Sequence, residues 1–99
     1  MQPISPSEAA RRKFEAIPPE VIQAVNELIV ENLQQGRAII LQKEIIERAQ
    51  RRGLREPKQL FYDRHWLDFE AIFETAGWSV KYDKPAYNED YDAYFEFKY

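Results

Sequence analysis

Few residues in this 99-residue sequence could perform catalysis or bind a metal. His65 is the only histidine, and the sequence has no cysteine. Neither a cysteine-based nor a histidine-rich zinc site can therefore form. We expect His65 to cap or pack against a local element rather than to act as a ligand or a base. The lack of cysteine also excludes a disulfide framework.

The acidic stretch NEDYD has the composition of a calcium-binding loop but not its spacing. Asn88, Glu89, Asp90 and Asp92 supply oxygen atoms, yet the glycine and the distal glutamate of an EF-hand loop are missing. No glycine-rich phosphate loop is present either, because each of the three glycines is expected to end a helix. We expect no metal, no cofactor and no enzymatic activity.

The same turn carries tyrosines and lacks positive charge. Tyr87, Tyr91 and Tyr94 offer large, rigid contact areas of the kind found at protein interfaces. An equally good interpretation is that these rings pack the turn against the sheet. Pro85 to Asp92 contains no lysine or arginine, whereas a turn that contacts DNA phosphates normally carries such residues.

One basic cluster is present, and it has two interpretations. It could bind phosphate or an acidic protein surface. The favoured interpretation is that the cations offset the negative end of a helix dipole and pair with Glu44 and Glu47 four residues earlier. The cluster comprises Arg48, Arg51, Arg52, Arg55 and Lys58.

The elements that must position these residues follow from apolar periodicity. A helix is predicted from Pro19, with apolar residues at helical spacing as far as Leu33 and Gly36 as the stop. RAIIL is too short for a helix and rich in branched residues, which favours a strand. Gln42 to Arg52 is the next predicted helix. Gly53 is expected to end it, with Leu54 closing back on Ala49.

The second half predicts a third main helix and a hairpin. Pro57 could start a short helix, and Leu67 to Ala76 is the third main helix, ended by Gly77. Two alternating segments follow, which predicts two strands with one buried face each. Matching their buried faces pairs Trp78 with Tyr99, Val80 with Phe97, Tyr82 with Phe95 and Lys81 with Glu96.

Length and charge favour one small domain that is electrically lopsided. Residues 1–18 are expected to form an N-terminal arm or a short helix that Ser7 caps and that runs to about Ala16, with Phe14 and Ile17 able to dock on the core. Residues 19–99 form the domain. Residues 1–58 carry 10 Lys+Arg against 8 Asp+Glu, and residues 59–99 carry 4 against 9.

Neither a signal peptide nor a membrane-spanning run is recognisable. We therefore expect no membrane contact and a cytoplasmic location, which would be the host cytoplasm if the protein is phage-encoded.

GRAIILQKEIIERAQ followed by AGWSVKYDKPAYNEDYDAYFEF resembles a winged helix-turn-helix domain. The fold class expected is α+β, winged-helix-like, with three main helices, a small antiparallel sheet and a C-terminal β-hairpin, the wing. The second of these segments, with LDFEAIF before it, is also similar to small, mostly uncharacterised proteins of bacteriophages and prophages.

The winged-helix resemblance implies a recognition helix just before the hairpin. Here its outward residues include Asp68, Glu70 and Glu74, which would repel DNA phosphates. We therefore expect a protein-binding regulatory module, of the kind a phage factor uses on a host or viral protein. Its surface would comprise those three carboxylates with Tyr87, Tyr91 and Tyr94. The alternative is DNA binding through the cluster from Arg48 to Lys58.

Overall fold

A computed structural model describes residues 3–99, apart from the side chains of Ala10, Lys13 and Phe14. Within that range the chain forms a small α+β domain with five helices and one three-stranded antiparallel sheet. The helices are α1 (Pro6–Ala16), α2 (Pro19–Asn32), α3 (Gln42–Arg51), α4 (Lys58–Asp63) and α5 (Glu70–Thr75). The strands are β1 (Arg37–Leu41), β2 (Ser79–Asp83) and β3 (Tyr94–Lys98).

The N-terminal segment forms the predicted short helix, because α1 spans Pro6–Ala16. The predicted cap at Ser7 is wrong: the helix begins one residue before Ser7, and the amide of Glu8 donates to Ser5 Oγ at 3.2 Å. Ile17, just after it, is buried, as expected for a residue that docks on the core. The prediction that Phe14 docks beside it concerns a side chain outside the described part of the chain. Pro19 occupies the first turn of α2, where its missing N–H needs no partner.

The predicted role of Gly36 is wrong in detail. Helix α2 ends at Asn32, and the chain then turns between Gln34 and Arg37, which exchange two backbone hydrogen bonds. Both central residues of this turn have positive φ, 52° at Gln35 and 78° at Gly36, as in a type I′ turn. Gly36 thus directs the chain into β1, as predicted for RAIIL, instead of closing the helix.

Helices α3, α4 and α5 end in the same motif. In α3 the amide of Leu54 donates to the carbonyl of Ala49 at 3.1 Å, and in α5 the amide of Trp78 donates to Phe73 at 3.0 Å. Gly53 and Gly77 hold the left-handed position of each motif, at φ 112° and 108°. The two predicted caps are confirmed.

The third main helix is shorter than predicted. Leu67 to Ala76 was expected to be helical, but α5 runs only from Glu70 to Thr75. The amide of Trp66 donates back to the carbonyl of Phe61 at 3.0 Å and thereby closes α4. The chain must leave that cap before a new helix can begin, so Trp66 and Leu67 lie buried in the turn between α4 and α5.

The sheet has the strand order β1-β3-β2, so β3 is central. The predicted register of the two C-terminal strands is confirmed: Val80 lies opposite Phe97, Lys81 opposite Glu96 and Tyr82 opposite Phe95. The inner face of the sheet packs on the helices through aromatic rings. Phe69 is fully buried, with its ring centroid 4.8 Å from that of Phe95.

Candidate protein-binding surface

The turn between β2 and β3, residues 84–93, is called the wing below, and Asp83 anchors it. The Tyr91 hydroxyl lies 2.6 Å from Asp83 Oδ1, and the Tyr94 hydroxyl donates to Asp83 Oδ2 at 3.2 Å. The Tyr91 hydroxyl also lies 2.8 Å from the carbonyl oxygen of Lys84. These bonds tie the far side of the wing back to the end of β2.

The hydrogen bonds at Asp83 shift the pKa values of all three groups. The bond from Tyr91 stabilises the carboxylate and lowers the pKa of Asp83 below 3.8. The same bond favours the protonated phenol, so the pKa of Tyr91 is raised from 10.0 to about 12. Its bond to Asp83 likewise raises the pKa of Tyr94.

Two further contacts fix the other parts of the wing. Lys43 Nζ, in the first turn of α3, lies 3.0 Å from Asp92 Oδ2, and this hydrogen bond raises the pKa of Lys43. At the tip, the amide of Ala86 donates to Glu89 Oε1 at 3.1 Å, and the amide of Glu89 donates to the carbonyl of Ala86 at 3.0 Å. The wing is therefore a turn with internal structure.

The three predicted tyrosines, Tyr87 and Tyr91 in the wing and Tyr94 at the start of β3, lie in different environments. The hydroxyls of Tyr91 and Tyr94 are engaged within the turn, and their two ring centroids are 6.2 Å apart. Tyr87, at the tip, is fully exposed, at 107% of its reference surface. Self-packing thus describes Tyr91 and Tyr94, whereas Tyr87 presents a whole ring to solvent.

The three predicted carboxylates of the recognition helix are also dispersed. Asp68 precedes α5, and its carboxylate lies 3.4 Å from His65 Nδ1 at the surface. Glu74 lies on α5 and is exposed, while Glu70 begins that helix and is half-buried. The negative charge of Glu70 contributes to raising the pKa of Tyr82, although burial is the larger cause. Glu70 is therefore electrostatically coupled to the strand that leads into the wing.

A buried polar contact missed by sequence reasoning supports this region. Gln42, at the start of α3, is only 7% exposed. Its Oε1 accepts a hydrogen bond from Tyr82 at 2.6 Å, and its Nε2 donates to the Tyr62 hydroxyl at 2.6 Å. The amide therefore joins α4 to β2. In the sequence, Gln42 is a single polar residue between a predicted strand and a predicted helix, and nothing there indicates that its side chain is buried.

The basic cluster is partly neutralised, by partners other than those predicted. Arg48 donates to Glu31 through two nitrogens, at 2.7 and 2.9 Å, and to Glu27 at 3.0 Å. Arg52 also pairs with Glu27. The expected pairing of Arg48 with Glu44 is wrong, because α3 packs along α2 and the carboxylates of α2 are closer. Arg51, Arg55 and Lys58 remain exposed.

His65 has the capping role expected of it. Its φ is 55°, so it holds in α4 the left-handed position that glycine holds in α3 and α5. The ring contact between Phe61 and Trp66, at 5.3 Å between centroids, closes the apolar side of this motif. Among the described residues, no group of three or more histidine, aspartate or glutamate side chains could hold a metal ion.

Comparisons with protein-family models, with curated proteins and with solved structures found no match to this chain. Within residues 3–99, none of the helices has the length and apolar character needed to cross a membrane.

Proposed function

We propose that this chain is a winged-helix domain that serves as a non-enzymatic, protein-binding regulatory module, of the kind a phage factor uses on a host or viral protein. The order α2, β1, α3, α4, α5, β2, β3 and the strand order β1-β3-β2 support the winged-helix assignment. The similarity of LDFEAIF and the hairpin segment to small bacteriophage and prophage proteins supports the comparison with a phage factor. Such a domain can be reused for protein contacts as readily as for DNA.

The single observation that carries the proposal is Tyr87 on a fixed turn. Its ring is fully exposed, while hydrogen bonds at Asp83, Ala86 and Glu89 hold the turn below it. A rigid aromatic on a preformed turn loses little conformational freedom when a partner covers it. Tyrosine is also one of the residue types that dominate binding energy at protein interfaces.

The charge of this region disfavours nucleic acid as the partner. The helix in the place of a recognition helix, α5, has six residues and carries Glu70 and Glu74 but no lysine or arginine. The wing tip adds Glu89 and Asp90. Phosphates would meet repulsion on both elements.

The ion pairs of the basic cluster weaken the alternative, which is DNA binding through Arg48 to Lys58. Arg48 and Arg52 are already paired with carboxylates of α2, so binding phosphate would require those ion pairs to be broken. The cluster then offers three exposed cations, which are Arg51, Arg55 and Lys58. Three positive charges are few for an interface held mainly by phosphate contacts.

The proposal is tested with the immobilised full chain and a nuclease-treated extract of the source cells. We expect the wild type to retain at least one protein, with affinity reduced by roughly 30-fold in Tyr87→Ala if Tyr87 is a hot spot worth about 2 kcal/mol. Tyr99→Ala is the matched control, because Tyr99 is an exposed tyrosine outside the wing. Equal retention by both variants would contradict the proposal, and so would retention that is seen in a parallel untreated extract but is lost in the nuclease-treated one.

A further inference from the structure

Strand β2 is the most exposed strand of the sheet. None of its five residues is buried, whereas β1 and β3 each bury two. It lies at the edge of the strand order, with a neighbour on one side only. Tyr82, in its second half, is 41% exposed although its ring packs 4.7 Å from that of Phe95.

The hydrogen bonds of the sheet show which backbone groups of β2 point outward. The amide of Gln42 donates to Ala93 and the amide of Tyr99 donates to Gly36, so the odd-numbered residues of β3 bond toward β1. Successive residues of a strand point their backbone groups to opposite sides, so the even-numbered residues of β3 bond toward β2.

In the observed register those even residues of β3 face Ser79, Lys81 and Asp83. The N–H and C=O groups of Val80 and Tyr82 therefore point away from β3. Neither residue has another backbone partner in the described part of the chain. Such a row of free groups is a template for a further strand.

The opposite edge of the sheet offers no comparable row. There the outward residues of β1 are Arg37, Ile39 and Leu41. The backbone of Arg37 is paired with Gln34, and Leu41 is the N-cap position of α3. Within residues 3–99, only Ile39 is left open on this edge, so a strand could add far more readily at β2.

We propose that a second copy of this chain pairs antiparallel with the free edge of β2, about a two-fold axis at Tyr82, to form a continuous six-stranded sheet. In this register Tyr82 bonds Tyr82 of the other copy, and Val80 bonds Lys84. The Lys84 carbonyl oxygen, which lies 2.8 Å from the Tyr91 hydroxyl, has a second lone pair for this bond. Lys81 then lies directly opposite Asp83 of the other copy, in the type of pair whose Cα atoms approach to about 4.5 Å. The two-fold axis forms this opposite-charge pair twice.

Charge and hydrogen bonding select this register over the two neighbouring ones. An axis at Lys81 would place two Lys81 side chains opposite each other, which is unfavourable. An axis at Val80 would pair Tyr82 with Trp78, whose amide is already bonded to the carbonyl of Phe73. Pairing at Tyr82 also places the two partly exposed Tyr82 rings next to each other at the axis. The paired residues do not include Tyr87, so the dimer does not depend on the proposed protein-binding function.

The test is sedimentation equilibrium of the full chain, combined with amide hydrogen exchange by NMR. The apparent mass should rise from 11.8 kDa toward twice that value as concentration increases. Over the same range the amides of Val80 and Tyr82 should become protected. The amide of Lys81, which already bonds to β3, should not change.

A charge variant tests the register. Lys81→Glu places a carboxylate opposite Asp83 twice, so the dimer should weaken by roughly tenfold or more. Lys98→Glu is the matched control, because Lys98 lies on the same face of the sheet, also neighbours Glu96 and gives the same charge change. Circular dichroism verifies that both variants fold.

Three results would overturn the proposal. One is a mass that stays at 11.8 kDa up to about 1 mM, the weak end of measurable association. The second is association that leaves the amides of Val80 and Tyr82 unprotected, because the contact would then lie elsewhere. The third is equal weakening by Lys81→Glu and Lys98→Glu.

Discussion

His65 closes α4 with a backbone conformation that a histidine adopts only at an energetic cost. The amide of Trp66 bonds Phe61, and the amide of His65 bonds Tyr62 at 3.2 Å, the same pattern that Gly53 and Gly77 support in α3 and α5. In those helices a glycine at the left-handed position indicates the cap in the sequence. Helix α4 has His65 at that position, so its C-terminal cap could be found only from the structure.

Replacing His65 with glycine should stabilise the domain. Glycine adopts a φ of 55° without the clash of a Cβ atom, so His65→Gly should raise the free energy of unfolding by about 0.5–1 kcal/mol. Urea denaturation measures this change. His65→Ala is the control, because alanine keeps the Cβ atom and removes only the ring. If the alanine variant gains as much as the glycine variant, backbone strain is not the cause.

The wing is the element whose order depends most directly on hydrogen bonds between side chains. The register predicted for Tyr82 and Phe95 extends by one residue to Asp83 opposite Tyr94, and the structure adds the Tyr91 hydroxyl as a second partner of the same carboxylate. The contact between Tyr94 and Asp83 could therefore have been predicted from the sequence. The contact between Tyr91 and Asp83 could not, because it depends on the path of the turn, which brings Tyr91 back over the end of β2.

The anchor should respond to pH in a defined direction. The pKa of Tyr91 is higher in the folded state, so its hydrogen bond contributes fully below pH 10 and is lost as the pH rises through about 12. The pKa of Asp83 is depressed, so its contribution is present above pH 3.8 and is lost as the pH falls through the lower folded value. The wing should be fixed between these limits.

NMR titration of a ring carbon of Tyr91 measures the alkaline limit. In Asp83→Asn the midpoint should move from about 12 toward 10.0, because the carboxylate that stabilises the phenol is gone. Asp90→Asn is the control, since it removes a carboxylate of the same turn that has no part in the Tyr91 shift. A midpoint that shifts equally in both variants would show a general effect of wing charge.

Across the whole molecule, Gln42 connects helices and sheet at a point where most contacts are apolar. Its side chain joins α4 through Tyr62 to β2 through Tyr82. In Tyr82→Phe, the buried Oε1 of Gln42 loses its donor, and the free energy of unfolding should fall by about 1–3 kcal/mol. Thermal or urea unfolding measures the loss. Tyr87→Phe, at a fully exposed ring, should change stability little. A similar loss in both variants would refute the linking role.

The distribution of surface charge also depends on contacts between residues that are distant in the chain. The basic cluster is plain in the sequence, but packing of α3 on α2 brings Arg48 and Arg52 to Glu27 and Glu31, more than 16 positions earlier in the chain. Sequence periodicity could offer only the local partners Glu44 and Glu47. The surface that could attract phosphate is smaller as a result.

Elements that depend on neighbouring residues alone could be predicted from the amino-acid sequence. Alternating apolar residues set the register of β2 and β3, because a slip of one residue would expose Phe95 and Phe97. Glycine after an apolar helix set two of the caps. Four features became clear only from the folded chain: the cap at His65, the late start of α5, the partners of Arg48 and the burial of Gln42. Each of these depends on which distant groups come into contact, and spacing along the chain does not specify that.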